Sequence, residues 1–78
     1  MKELVEFITT SLVDDPTQVE VNQVRRGAQV ILELHVAKED MGRIIGRSGR
    51  VASAMRTLLR VAAAQEGKRA TLDIIEPE

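Results

Sequence analysis

The chain has no cysteine, tryptophan or tyrosine, and only one phenylalanine, Phe7, and one histidine, His35, in 78 residues. Each absence removes a class of function. Without thiols there can be no disulfide, thiolate nucleophile or common zinc finger; packing alone must hold the fold, and a reducing compartment such as the cytoplasm suits it. A lone imidazole with no thiol to join it cannot complete a metal site, and no cofactor is expected. A single aromatic ring excludes nucleic-acid recognition by rows of stacked aromatics. Nowhere do about 18 apolar residues run together, so no membrane span is expected. The opening MKELVEFITTSL is apolar, but Glu3 and Glu6 interrupt it and no small-residue cleavage site follows, so it reads as a helix of the mature protein.

What is present is the composition of one folded domain over residues 1–78: 44% hydrophobic and 29% charged residues, with both signs interspersed. The net charge of -1 hides an asymmetry. Residues 41–65 carry Arg43, Arg47, Arg50, Arg56 and Arg60 and no acid, a local +5 against -6 for the rest. Such a patch is what polyanion binding requires, whatever the total.

Leu4, Val5, Ile8 and Leu12 recur at helical spacing, and Asp14, Asp15 and Pro16 end that helix with turn chemistry. Val19 and Val21 alternate with polar residues. After Gly27, Val30, Leu32, Leu34 and Val36 share one strand face, with Ile31, Glu33 and His35 on the other. This predicts a hairpin with a positive φ at Gly27 and, because Val24 is out of phase, a bulge near it. Glu39 and Asp40 suit the first turn of a short helix, Arg43 its end, and Gly46 a left-handed terminator. A longer helix runs from beyond Gly49 to Gly67, and Ala70, Leu72 and Ile74 alternate in a last strand. The order is helix, strand, strand, helix, helix, strand, and its simplest compact arrangement is α+β: a three-stranded sheet with the helices on one face.

Between the two later helices lies MGRIIGRSGR, where Gly46, Arg47, Ser48 and Gly49 form G-x-x-G. Alone that spacing is common, and the glycines could simply cap a tight helix–turn–helix. In this context they also let the chain reverse without Cβ atoms to hold a ligand backbone away. The following helix then offers N–H groups and a positive dipole end to a phosphate, and Arg47, with Arg43 and Arg50, could hydrogen-bond the same oxygens. A nucleotide-hydrolysing phosphate loop needs wider glycine spacing and a Lys-Ser or Lys-Thr pair, which this stretch lacks.

Ile44, Ile45, Gly46, Arg47, Ser48, Gly49 and Arg50 resemble the I-I-G-x-x-G-[KR] signature of KH domains, which clamp about four nucleotides of single-stranded RNA or DNA. Two strands before the signature and one after match the type II KH order. The likeness covers the whole chain and is similar to the small bacterial single-KH (KhpA) family, whose pattern D-x-G-R-x-I-G-R-x-G-R-x-x-x-A-x-R-T is met from Asp40 to Thr57. It implies a non-enzymatic, cytoplasmic protein that binds single-stranded RNA and acts as an RNA chaperone or post-transcriptional regulator. The implied groove is lined by the short helix, the glycine loop, the next helix and the second strand. Its implied residues are Gly42, Arg43, Ile45, Gly46, Arg47, Ser48, Gly49 and Arg50, with Gly42 and Ile45 on the floor and Ile44 in the core. It also implies pairing with a second copy or with a larger Jag-type (KhpB) KH protein, and links to cell elongation and envelope homeostasis. Ser48 departs from relatives that often carry Lys there, leaving the loop one cation fewer.

Other residues read more blandly. His35 falls on the solvent phase of its strand, and Ser48 has no base beside it to make it a nucleophile. The helix after Gly49 has an apolar arc of roughly 200°, about twice what one core needs. Either the first helix covers the excess, or a partner does, against Leu59, Ala52 and Ala63; in the second case the chain is a protein-interaction module on a KH scaffold. Arg56 and Arg60 on the polar side are either solvated charges or nucleic-acid contacts.

Overall fold

The computed structural model describes residues 1–77 and, within them, the expected order: α1 (Lys2–Leu12), β1 (Glu20–Arg26), β2 (Gln29–His35), α2 (Met41–Ile45), α3 (Arg50–Gln65) and β3 (Arg69–Ile75). Tight 3-10 turns at Pro16–Gln18, Lys38–Asp40 and Arg47–Gly49 join them. The sheet order is β1-β2-β3, with β1 antiparallel and β3 parallel to β2. The parallel pairing follows from connectivity, since the α2–α3 crossover returns the chain to the end of the sheet where β2 began.

Gly27 and Ala28 close the β1–β2 hairpin. A positive φ of 59° at Gly27 and none at Ala28 is the combination of a type II′ turn, whose twist matches the strands. The register runs unbroken from Glu20 opposite His35 to Arg26 opposite Gln29, so the bulge expected near Val24 is absent. Val24 is out of phase because it faces away from the core, opposite Ile31.

Val30, Leu32, Leu34 and Val36 are all buried, and with Val21 and Leu72 they form the sheet's side of the core. Val5 of α1, Ile44 of α2 and Met55 and Leu59 of α3 close over that face. At the start of α1, the Glu3 carboxyl is held below its usual range by a backbone N–H and then by the terminal ammonium 3.5 Å away. Thr9 of α1 is also fully buried, and its Oγ1 has no hydrogen-bond partner among the described residues.

The core line of α3 runs through Ala52, Met55, Leu59 and Ala63. The edge expected to face a partner, Leu59, Ala52 and Ala63, is therefore core, because the sheet covers that side. The surplus apolar surface lies on the opposite edge, where Ala54 is exposed and Leu58 and Val61 are 50% and 55% exposed. The helix ends as expected at Gly67: the Lys68 N–H donates to the Ala63 carbonyl at 2.8 Å and the Gly67 N–H to Ala64 at 3.0 Å, a Schellman arrangement.

Asp40 has a role its position at a helix start does not disclose. Its side chain is 2% exposed, and its carboxylate accepts the Asp14 N–H at 3.0 Å and the Asp15 N–H at 3.2 Å. A buried carboxylate needs such donors. It ties the turn after α1 to the start of α2. Within that turn Asp15 accepts from the Thr17 N–H at 3.2 Å and from its hydroxyl, with Pro16 opening the 3-10 segment.

Candidate functional site

Ile44, fully buried, anchors the five-residue α2 to the core. At about 100° per residue, Gly42 and Ile45 lie about 60° apart on one side of this helix, and Arg43 about 160° from Ile45 on the other. Ile45 is 37% exposed, and Gly42 has open space where a side chain would stand. The pair therefore shares an accessible surface. Arg43 is set apart from it: its Nη2 lies 3.0 Å from Asp14 Oδ2 and its Nε 3.9 Å from the buried Asp40.

The chain leaves α2 through Gly46, whose N–H closes the helix on the Gly42 carbonyl at 2.9 Å. With φ 77° and ψ 173°, Gly46 is not the left-handed terminator expected. Its positive φ with an extended ψ is a region essentially reserved for glycine. Ser48 (φ 56°, ψ 27°) and Gly49 (φ 74°, ψ 14°) are the left-handed residues of the loop. The Gly49 N–H donates to the Gly46 carbonyl at 3.2 Å and closes the reversal.

Gly49 is the N-cap of the 16-residue α3, and no side chain caps the helix start. Its positive dipole end thus faces outward beside Arg47, Ser48 and Arg50, all exposed. Neither Arg47 nor Arg50 has a carboxylate within 4.0 Å among the described residues. Of the eight residues singled out in the sequence, Gly46 to Arg50 form one surface, Gly42 and Ile45 stand on the exposed side of the adjoining helix, and Arg43 is engaged elsewhere.

From Gly49 a row at three- and four-residue spacing descends α3 through Ser53, Arg56 and Arg60. Arg56 donates through Nε at 3.3 Å and Nη2 at 3.2 Å to the Leu72 carbonyl of β3. It straps helix to strand while remaining exposed. Arg60 donates to Thr57 Oγ1 at 3.2 Å. Arg56 and Arg60 with residues 70–73 line an open cavity along β3.

The strand beside α3 differs from the expectation. β2 is the central strand, hydrogen-bonded on both sides, so it has no backbone edge to offer; the edges belong to β1 and β3, and β3 is the one lined by Arg56 and Arg60 of α3. The sequence reading missed the β3 edge. Its signal was the i, i+4 spacing of Arg56 and Arg60 on a helix followed directly by a strand.

A family model described as KhpA/KhpB, KH domain, matches residues 2–74. The chain is 52% identical over 75 residues to the RNA-binding protein KhpA of Clostridium perfringens, covering 96% of this chain and 100% of that one. It is 51% identical over 75 residues to the RNA-binding protein KhpA of Clostridium acetobutylicum, with the same coverage. Its identity to the RNA-binding protein KhpA of Borreliella burgdorferi is 47% over 74 residues, 95% of this chain and 90% of the relative. No solved structure matches the chain.

Proposed function

Because the chain belongs to the KhpA/KhpB KH-domain family, we propose that it is a single KH domain over residues 1–78 that binds single-stranded RNA without catalysing a reaction. Its helix–strand–strand–helix–helix–strand order and mixed sheet are the type II KH fold. The observation that carries the reading is the Gly46–Gly49 reversal, which presents an uncapped helix start between two arginines with no carboxylate partner among the described residues. There the backbone N–H groups, the helix dipole, Arg47 and Arg50 can meet one phosphate run, while Gly42 and Ile45 give bases an aliphatic surface. Arg43 pairs with Asp14 on the exposed side of α2 and can exchange that partner for a phosphate. We assign the protein to the cytoplasm, as an RNA chaperone or regulator linked to cell elongation and envelope homeostasis; the family supports this assignment.

The test is a titration of labelled single-stranded RNA at two salt concentrations, with the wild type and with the double variant Arg47→Asp, Ser48→Asp, each shown to be equally folded. The variant loses about tenfold or more in affinity and has a shallower salt dependence. Unchanged binding by the variant removes the loop from the mechanism.

One observation favours an added role in protein association. Leu58 and Val61, half exposed on one edge of α3 beside Ala54, offer an apolar stripe to a second copy or to a Jag-type (KhpB) KH protein. Pairing would raise affinity for RNA through avidity. If this stripe carries the function in place of the loop, sedimentation shows concentration-dependent association that Leu58→Glu with Val61→Glu abolishes, and the wild type binds no RNA.

A further inference from the structure

A second group of cations gathers at the other end of α3. The register sets Arg26 opposite Gln29 and Gln29 opposite Arg69, so the two arginines stand in one row across all three strands on the outer face of the sheet. Arg25, next in the chain, is exposed too, but it stands opposite the buried Val30 and so on the other face of the sheet. Arg60, Lys68 and Arg69 line a cavity with Gln29, Ala70 and Thr71. This cavity shares Arg60, Ala70 and Thr71 with the one that Arg56 borders, so one trough follows the open edge of β3. The acids near it are few: Glu66 lies 3.9 Å from Lys68, and Asp73 lines the end of the trough toward Arg56. Among the described residues, Arg26, Arg60 and Arg69 have no carboxylate within 4.0 Å. Like charges so grouped repel one another, and a polyanion would relieve that repulsion.

We propose that this hairpin end, with Arg26 and Arg69 at its centre and Arg60 leading to it, is a second phosphate-contact surface that extends the path of single-stranded RNA beyond the G-x-x-G loop. It rests on the RNA-binding reading above and adds length to it. α3 has 16 residues and is therefore about 24 Å long. The G-x-x-G loop stands at one end of this helix and the hairpin end at the other, so nucleotides that continue past the four or so held at the loop reach it. A short RNA held at the loop stops before the hairpin end; a longer one reaches it and gains the extra phosphate contacts. Cations on strand edges also discourage edge-to-edge aggregation, but that role predicts no dependence on RNA length.

The experiment compares labelled random-sequence RNAs of about 5 and about 12 nucleotides, titrated by fluorescence anisotropy against the wild type and the double variant Arg26→Gln, Arg69→Gln, at two salt concentrations. Thermal melts first establish that the variant is folded. The variant is expected to bind the longer RNA about tenfold more weakly, with a salt slope lower by about 1.4 for two lost phosphate contacts, and to bind the shorter RNA within about twofold of wild type. If both lengths weaken equally, or if the variant binds the longer RNA as the wild type does, the extended path is wrong while RNA binding stands. If the wild type binds neither length, the RNA-binding reading itself fails, and this inference with it. A polyglutamate chain that displaces the longer RNA from the wild type at equal charge, but not from the variant, would assign the surface to acidic protein instead and overturn the proposal.

Discussion

Gly46 lies against Val51 so closely that a methyl group on it would stand 2.8 Å from both the backbone nitrogen and the Cβ of Val51. The reversal between α2 and α3 is therefore closed by packing as well as by dihedral angle. Gly46→Ala must find room against the first turn of α3 while holding φ 77° and ψ 173°, and is expected to lose about 3 kcal/mol or more. Gly49 is left-handed but has nothing near its missing side chain, so Gly49→Ala is expected to lose only about 1–2 kcal/mol. Urea denaturation of the two variants measures the gap; equal losses would contradict this loop geometry.

Ser48 sits in the left-handed region without being glycine. Replacing it with Gly relieves about 1–2 kcal/mol of backbone strain and gives back about 0.4–1 kcal/mol in unfolded-chain freedom. Ser48→Gly should thus be more stable by about 0.5–1 kcal/mol, read as a shifted urea midpoint at constant slope. Ser48→Lys should leave stability nearly unchanged and steepen the salt dependence of RNA binding by about 0.7.

Asp14 and Asp40 both face Arg43, yet they should respond very differently to removal. The pair of Arg43 with Asp14 is solvent-exposed, and Asp14→Ala is expected to cost less than about 1 kcal/mol. Asp40→Ala leaves two amide donors of the turn after α1 without their buried acceptor and is expected to cost about 3 kcal/mol or more. Asp40→Asn keeps one acceptor oxygen and should recover part of that loss. Equal midpoints for Asp14→Ala and Asp40→Ala would show that Asp40 does not hold the turn.

Thr9 carries a buried hydroxyl that gains no partner among the described residues. Thr9→Val preserves the shape and removes the unsatisfied group, and is expected to stabilise the fold by about 1 kcal/mol. A melting temperature that falls instead of rising would mean that the hydroxyl is satisfied in solution.

By itself the sequence determined the elements and the loop. The helical phase of Val5 and Ile8, the alternation from Val30 to Val36 and the turn at Gly27 depend on residues a few positions apart, and so do the opposite fates of Ile44 and Ile45, one buried and one exposed. Only the tertiary structure decided which edge of α3 meets solvent. An apolar arc wider than one core requires can be buried from either side, and the placement of the sheet against Ala52, Leu59 and Ala63 left Leu58 and Val61 outside. The same holds for Arg56, whose acceptor lies 16 positions along the chain, and for Asp40, whose donors lie 25 and 26 positions back. It holds too for β3, whose place at an edge follows from the strand order β1-β2-β3. These partners are joined by the fold rather than by the chain, and no local periodicity records where two elements will meet.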